Sequence, residues 1–249
     1  PLISNECSET LYLLPPLSGY WENATIFEHV ETKRLNVLGV QLGTILYKCS
    51  QQQIIQQVAK QIIDKEAGDI YLGAYSLGGL WLPALVNEIE RQGASVNAIV
   101  LIDCGHVSQM KLKPDRSLIT DFITVLEDKS EGALTALTQI LKECYDYQAV
   151  QLLHQSRNDN IEREIVERLL VMLRHNHMID LETETLRSKV PAIYIAAETT
   201  PLNDDHVQAW LEDIGSLKRI NVSGDHQSML EKPNNQLLFK QLEKELNYD

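Results

Sequence analysis

The clearest chemical feature of this chain is a serine set among very small residues, in the run Gly73-Ala-Tyr-Ser76-Leu-Gly-Gly79. A serine becomes an effective nucleophile when a tight strand-to-helix turn lifts its hydroxyl, and that turn requires small residues two places before and two places after the serine. Ala74 and Gly78 stand at those places. Glycine is usual at the first of them, so the methyl group of Ala74 is a mild departure. The run predicts Ser76 as a nucleophile, against the alternative of a glycine-rich junction with an incidental serine.

A nucleophilic serine needs a base to take its proton, and the base needs an acid to orient it. Among the seven histidines of the chain, His226 alone follows the last predicted strand. It lies in Gly224-Asp-His-Gln-Ser-Met-Leu230, a loop from which an imidazole can reach back over Ser76. His226 is therefore the predicted base. His175 and His177 could suggest a metal pair, but no third ligand lies near them in the sequence, so no metal site is predicted.

Two acidic residues compete for the orienting role. Asp103 ends the nearly all-apolar run Val96–Asp103, where an unpaired carboxylate would be costly to bury and an imidazolium would be a suitable partner. Glu198 ends a later predicted strand. Among α/β-hydrolases at large, the acid more usually lies at the end of that strand. We favour Asp103 and keep Glu198 as the alternative, with Asp204 and Asp205 a little beyond it.

The elements that must position these residues alternate between short strand-like runs and longer helix-like runs, a pattern typical of a parallel α/β sheet. Ser50 and Gln53 have the spacing of a helix capping box, and a helix is predicted from about Leu77 to Gln92, directly after Ser76. Each candidate residue then follows the end of a strand, where open α/β sheets bind their ligands. The predicted strands are Thr10–Leu14, Leu35–Leu42, Asp69–Tyr75, Val96–Asp103, Ala192–Ala197 and Leu217–Val222.

The alternation stops between about residues 105 and 189. Four segments of helical spacing occupy this stretch, with no convincing strand among them, and the strand–helix rhythm returns afterwards. We interpret residues 1–249 as one α/β domain interrupted by one helical insertion at about 105–189. The insertion is either a subdomain that merely packs on the sheet or a lid over a site at the strand ends. The helical segments are Ser117–Glu127, Ala133–Cys144, Gln148–His154 and Asn160–His175.

Composition excludes several classes of protein. Lys and Arg total 22 against 35 Asp and Glu, a formal net charge of −13, which argues against nucleic acid and anionic membranes as partners. The four cysteines are scattered singly, which suits neither a zinc site nor a disulfide scaffold. No apolar run reaches the ~18–20 residues of a membrane span. We therefore expect a cytoplasmic protein with reduced thiols and, because the sequence starts at Pro1 and not at methionine, a piece of a longer polypeptide.

Four stretches together resemble the thioesterase domains that end nonribosomal peptide and polyketide synthetases. The resemblance spans Leu11 to about Leu246, with the stretches in the order of that family. It implies the α/β-hydrolase fold, with a mostly parallel sheet, flanking helices and a helical lid at about 105–189. It also supports Asp103, since in that family the acid follows the strand after the nucleophile's helix. The four stretches are Leu14-Pro-Pro-Leu-Ser-Gly-Tyr20, Ala74-Tyr-Ser-Leu-Gly-Gly79, Leu101-Ile-Asp103 and Gly224-Asp-His-Gln-Ser-Met-Leu230.

The same resemblance implies an oxyanion hole and a substrate. The two donors would be the backbone N–H groups of Leu77, at a helix N-terminus, and of Leu17, after the stiff pair Pro15–Pro16. The substrate would be an acyl, peptidyl or polyketide chain, carried as a thioester on the phosphopantetheine arm of a carrier-protein domain. It would pass to Ser76 and leave by hydrolysis or cyclisation. The thioesterase itself would need no cofactor.

The docking surface for a carrier protein and the function itself each have alternatives. Carrier proteins are generally acidic, so an acidic chain needs a local basic patch, for which Lys111, Lys113 and Arg116 are the candidates. A stand-alone editing thioesterase of related type would place its acid one strand later, which favours Glu198. A hydrolase of small esters or lipids is a second alternative, and a non-catalytic binding module on the same fold is a third.

Overall fold

The computed structural model describes the chain except for residues 5–8, 22–26, 44, 67–68, 131–133, 179–184, 187–188, 201, 203 and 247–249, and except for the side chains of residues 129 and 130. Gly68, where we expect the helix that begins at the Ser50 capping box to end, lies outside the described residues. The predicted start of an insertion helix at Ala133 and the cysteine Cys7 also lie outside them.

One parallel sheet forms the centre of the described chain. Its strands are β1 (Glu9–Leu14), β2 (Leu35–Gly39), β3 (Ile70–Tyr75), β4 (Val96–Ile102), β5 (Ala192–Thr199) and β6 (Leu217–Asp225). They lie in the order β2-β1-β3-β4-β5-β6, and every neighbouring pair is parallel. Each predicted strand is present, although β2 ends at Gly39 and not at Leu42. The expected α/β architecture is therefore confirmed.

Helices connect the strands and cover both faces of the sheet. The α-helices are α1 (Ile45–Lys48), α2 (Gln51–Lys65), α3 (Leu82–Arg91), α4 (Asp115–Ser130), α5 (Thr135–Lys142), α6 (Tyr147–Ser156), α7 (Asn160–His177), α8 (Asp204–Ile214) and α9 (Asn234–Leu246). The capping box of α2 is present: the Ser50 hydroxyl accepts from the Gln53 N–H, and the Gln53 side chain accepts from the Ser50 N–H. No helix among the described residues is long and apolar enough to cross a membrane.

The predicted continuous helix after Ser76 is wrong in its first part. Residues Ser76–Trp81 form a 3₁₀ helix, and the α-helix α3 begins only at Leu82. Glycine is a poor α-helix former, and the pair Gly78–Gly79 lies in this stretch. Pro83 stands in the first turn of α3, where its missing N–H costs nothing. A tight 3₁₀ start therefore replaces the regular first turns.

Strands β3 and β4 are buried on both faces, as their apolar sequences predict. One buried cluster lies between the sheet and α2, α3 and α8, and includes Leu72, Leu85 and Trp210. A second lies on the opposite face against α9, and includes Val100 and Phe239. Because both faces of the sheet are covered in the described part of the chain, a ligand can reach the sheet only at the ends of its strands.

The strand order makes a crevice at the carboxyl edge of the sheet. The chain passes from β1 outward to β2, then returns beside β1 to form β3 and proceeds in the opposite direction through β4, β5 and β6. The loops that leave β1 and β3 therefore diverge, and ligands of open α/β sheets bind at such a point. These are the loops that carry Leu17 and Ser76.

The helical insertion, residues 105–189, lies between β4 and β5 and contains α4 to α7. It has a core of its own, with Ile119, Leu141 and Leu170 among its fully buried residues. Helix α7 also joins the main core, because the buried side chain of Val171 packs there. The insertion is thus anchored to the sheet through α7.

Candidate active site

Ser76 stands at a sharp bend directly after β3. Its φ of +56° lies in the left-handed region, which is costly for a residue with a side chain and is found where the surroundings enforce it. Gly78 shows why the bend needs small residues, since a Cβ there would lie 2.6 Å from the Pro15 carbonyl oxygen. Ala74 is fully buried, so its methyl group is accommodated. The bend presents the Ser76 hydroxyl at the carboxyl edge of the sheet.

The structure brings Ser76, His226 and Asp103 together. His226 Nε2 lies 2.9 Å from Ser76 Oγ, although 150 residues separate the two in sequence. His226 Nδ1 lies 2.7 Å from Asp103 Oδ2. With the Nδ1 proton donated to the carboxylate, Nε2 is free to accept the serine proton. This is the arrangement that activates a serine hydroxyl.

Asp103 is a fully buried carboxylate whose oxygens are all engaged. Oδ1 accepts from the Ala197 N–H at 3.3 Å. Oδ2 accepts from Thr200 Oγ1 at 2.9 Å in addition to His226. The φ of Asp103 is +45°, so it also follows its strand through a left-handed bend. Burial of a charge requires such partners, and they hold the carboxylate in line with the imidazole.

Glu198, the alternative acid, does not lie at the imidazole. It is exposed and borders a polar surface groove together with Arg219 and Asn221. Asp204 is engaged elsewhere, in a 2.7 Å ion pair with Arg219. Of the candidate acids, the structure therefore brings only Asp103 to His226 among the described residues.

Tyr75 holds His226 in two ways that the sequence reasoning missed. Its ring stacks on the imidazole, with centroids 4.9 Å apart and planes inclined by 19°. Its hydroxyl donates a 2.5 Å hydrogen bond to the His226 carbonyl oxygen. Burial, reinforced by the Asp103 charge, raises the pKa of Tyr75, so the phenol keeps its proton. The place of Tyr75 directly before Ser76 was a usable signal, whereas nothing in the sequence marked Thr200.

The loop after β1 lies against the same bend. Pro15 contacts the Gly78 position, and the turn that follows is closed by a 2.9 Å hydrogen bond from the Gly19 N–H to the Pro16 carbonyl. Leu17 lies inside this turn, and Leu77 is the second residue of the 3₁₀ helix. Both backbone positions proposed for the oxyanion hole are thus in segments that meet beside Ser76.

The two histidines at the end of α7 have separate partners. His177 Nε2 lies 2.6 Å from Asp115 Oδ1, whereas His175 is buried against Trp81 and Leu17. No group of three or more potential ligands suited to a metal ion occurs among the described residues. The cysteines within the described ranges, Cys49, Cys104 and Cys144, are free thiols.

The three basic candidates for carrier docking differ in their surroundings. Arg116 Nη1 donates to the carbonyl oxygens of Lys142 and Cys144, each at 2.7 Å, so it caps the end of α5. Lys113 lies 3.8 Å from Asp121 at the surface, and Lys111 is exposed. Arg116 is thus held at the end of α5, and docking through Lys111, Lys113 and Arg116 stays a prediction.

A groove of about 420 Å³ runs between α4 and α7 of the insertion. Its walls are mainly apolar and include Phe122, Leu126, Ile165 and Met172. Ser18, the residue after Leu17, also lines it. The groove therefore reaches the turn that carries Leu17.

No protein-family model matches the chain, and no curated protein matches it. Solved structures do match. The RedJ thioesterase from the prodiginine biosynthetic pathway of Streptomyces coelicolor has a TM-score of 0.67 at 17% identity, over 96% of this chain and 91% of RedJ. The Vlm2 thioesterase domain, bound with a dodecadepsipeptide, has a TM-score of 0.66 at 17% identity, over 100% of this chain and 97% of Vlm2.

A third match lies inside a larger protein. AB3403, a four-domain nonribosomal peptide synthetase, has a TM-score of 0.69 at 16% identity, over 97% of this chain but 20% of that protein. At these identities the similarity is one of fold. The chain has the α/β-hydrolase fold of these thioesterases, as the sequence resemblance implied.

Proposed function

We propose that this chain is a serine thioesterase that releases an acyl, peptidyl or polyketide chain from the phosphopantetheine thioester of a carrier protein. The single observation that supports the proposal most strongly is the line from Asp103 through His226 to Ser76, with hydrogen-bond distances of 2.7 and 2.9 Å. It stands in a fold shared with thioesterases of biosynthetic pathways. The matched structure of a whole synthetase supports the carrier-bound substrate.

Acylation begins when Ser76 Oγ attacks the thioester carbonyl carbon. His226 Nε2 takes the hydroxyl proton, and the Asp103 carboxylate stabilises the resulting imidazolium. The backbone N–H groups of Leu17 and Leu77 hold the oxyanion of the tetrahedral intermediate. Collapse of the intermediate breaks the C–S bond, and the pantetheine sulfur leaves as a thiol with the proton from His226. The product is an ester of Ser76.

Release of the chain repeats these steps with another nucleophile. His226 takes a proton from water, or from an amine or hydroxyl within the acyl chain, as that group attacks the ester carbonyl. The new tetrahedral intermediate collapses with cleavage of its bond to Ser76 Oγ, and Oγ takes the proton back from His226. Water gives a free acid, and an internal nucleophile gives a ring. The reaction needs no metal and no cofactor, since phosphopantetheine arrives as part of the substrate.

The groove between α4 and α7 favours an acyl chain of some length over a small ester. Its walls of Phe122, Leu126, Ile165 and Met172 offer apolar surface, and apolar area removed from water contributes roughly 25 cal/mol per Å². The helical insertion then serves as a lid over the bound chain. A stand-alone editing role uses the same chemistry and is the second candidate, since RedJ is a thioesterase of a biosynthetic pathway. The position of Asp103 at His226, in place of an acid one strand later, favours the release of a finished chain over editing.

A comparison of thioester and oxygen-ester substrates tests the proposal. The purified chain is given octanoyl and acetyl thioesters of pantetheine, together with the matched oxygen esters, and free acid is measured. We expect turnover of the thioesters, preference for the octanoyl chain and no turnover by Ser76→Ala. Preference for the small oxygen ester would favour an ester hydrolase. Absence of any turnover, together with an unreactive Ser76, would favour a binding module.

A further inference from the structure

His175 is a fully buried histidine near the end of α7, outside the proposed triad. Its Nε2 accepts a 2.8 Å hydrogen bond from the indole N–H of Trp81, in the 3₁₀ helix after Ser76. An imidazole nitrogen that accepts carries no proton, so in the neutral ring the proton is on Nδ1. Nδ1 lies 3.2 Å from the Leu17 carbonyl oxygen and donates to it. Burial lowers the pKa of His175 to about 4, which keeps the ring neutral near pH 7, and its two hydrogen-bond partners fix the tautomer.

The two peptide groups on either side of the Leu17 Cα are each held by a hydrogen bond. The Pro16 carbonyl accepts from the Gly19 N–H at 2.9 Å, and the Leu17 carbonyl accepts from His175. In a trans peptide the N–H points opposite to the carbonyl. The bond at the Pro16 carbonyl therefore aims the Leu17 N–H away from the turn. The bond from His175 fixes the second peptide, so the backbone at Leu17 cannot rotate freely.

Helix α7 touches this turn at a second point. Gly19 has a φ of +71°, and a Cβ there would lie 2.6 Å from Val171 Cγ1. Val171 and His175 are four residues apart and lie on the same face of α7. The helix thus packs against the turn at Gly19 and hydrogen-bonds it at Leu17, one helical turn further on.

We propose that His175 is a positioning residue that holds the Leu17 N–H in place to bind the oxyanion, and that it couples the helical insertion to the chemical step. The inference rests on the proposed role of Ser76 and Leu17 in acyl transfer. His175 itself touches neither the substrate nor the reacting atoms. It acts through the Leu17 carbonyl, with Trp81 selecting the tautomer that can donate.

Two variants separate the two hydrogen bonds of His175. In His175→Asn the side-chain amide nitrogen stands near the former Nδ1 and still donates to Leu17, while Trp81 loses its acceptor. In His175→Gln the side-chain oxygen stands near the former Nε2 and still accepts from Trp81, while Leu17 loses its donor. Each variant leaves one partner unpaired, the half-buried Leu17 carbonyl in the Gln variant and the buried Trp81 indole in the Asn variant, so both should lose stability and the Asn variant should lose at least as much. Their melting temperatures provide the control for a merely structural role.

The kinetic constants then give the test. For His175→Gln we expect kcat on the octanoyl-pantetheine thioester to fall by ~10- to 100-fold, less than the ~10²–10³-fold loss on removal of one oxyanion donor, with KM little changed. For His175→Asn we expect kcat near that of the wild type. Equal kcat values in the two variants, whether both low or both normal, would overturn the inference.

Labelling of Ser76 by a fluorophosphonate extends the test beyond the choice of substrate, because the phosphoryl oxygen also develops charge that the oxyanion hole must bind. If the wild type turns over no thioester, the proposed function fails, yet slower labelling of the Gln variant than of the Asn variant would still support the role of His175. If neither variant folds, Trp81→Phe replaces them. A fall in kcat at unchanged KM then supports the inference, and an unchanged kcat overturns it.

Discussion

The hydroxyl of Thr200 donates a 2.9 Å hydrogen bond to the Asp103 carboxylate. Thr200 follows β5, the strand at whose end the alternative acid Glu198 lies. That strand end therefore supports the acid from β4 without replacing it. The relationship leads to separate predictions for the acid, for its support and for the base that it orients.

The carboxylate of Asp103 is the first test. Asp103→Asn should lower kcat/KM by ~10⁴-fold, because an amide cannot stabilise the imidazolium or hold the productive tautomer. Glu198→Gln is the matched control and should leave kcat/KM within about twofold of the wild type, since exposed surface substitutions have small effects. Steady-state kinetics on one thioester checks both. A larger loss of kcat/KM in Glu198→Gln than in Asp103→Asn would show that Glu198 is the orienting acid.

Thr200→Val removes the supporting hydroxyl and nearly preserves the shape of the side chain. One hydrogen bond to a charged group contributes ~1.5–3 kcal/mol, and part of that loss should appear as a fall in kcat. We expect a fall of roughly tenfold with unchanged KM. The kcat/KM ratio of Thr200→Ser, which keeps the donor, should stay near the wild-type value. A silent Thr200→Val would show that the Ala197 N–H and His226 suffice to hold Asp103.

Tyr75→Phe keeps the ring that stacks on His226 and removes only the bond to the His226 carbonyl. A net loss of ~1 kcal/mol is expected for one hydrogen bond, so kcat should fall by about fivefold through less exact placement of the imidazole. Tyr75→Ala, which also removes the stack, should lose considerably more. Kinetics at saturating thioester, with melting temperatures for comparison, distinguishes placement from general destabilisation. Identical losses in the two variants would contradict the role of the hydroxyl.

Burial of the His175 imidazole predicts that the free energy of unfolding depends on pH. Its pKa falls from 6.5 in the ordinary state to about 4 in the fold, so between these values the unfolded chain binds the extra proton. Above pH ~6.5 the ring is neutral in both states and costs the fold nothing. As the pH falls toward 4, protonation of the unfolded chain lowers the free energy of unfolding by up to ~3 kcal/mol. Denaturant unfolding of wild type and His175→Asn at pH 7 and pH 4.5 measures it. The variant should lose less stability on acidification, and equal losses would contradict the prediction.

The strands were largely predictable because they depend on local sequence, and the meeting of Ser76, Asp103 and His226 at one sheet edge follows from them. Buried parallel strands such as β4 are continuous apolar runs, and Ser76, Asp103 and His226 each follow such a run. A parallel sheet then brings all three ends to one edge. The choice between Asp103 and Glu198 was not settled by the residues alone, since both follow strands. It depends on which strand end lies nearest the imidazole in three dimensions.

Contacts between distant segments were not predictable from the residues. Thr200 and Tyr75 act through partners far away in sequence, and His175 joins Leu17 across 158 residues. Thr200 and His175 have no local pattern that distinguishes them from an ordinary loop or buried residue, and Tyr75 is marked only by its place directly before Ser76. The 3₁₀ start after Ser76 was missed for a different reason. Apolar spacing predicts a helix in this stretch, but it does not distinguish a 3₁₀ helix from an α-helix when two glycines lie in the first turns.

Direct detection of an acyl group on Ser76 tests the central claim. The wild type is mixed rapidly with excess octanoyl-pantetheine, quenched in acid, and examined by intact-protein mass spectrometry and peptide mapping. We predict an added octanoyl group on the peptide that contains Ser76, no such group in Ser76→Ala, and much slower formation in His226→Ala. Release of octanoic acid by Ser76→Ala at the wild-type rate, or acylation of a different residue during turnover, would contradict the account.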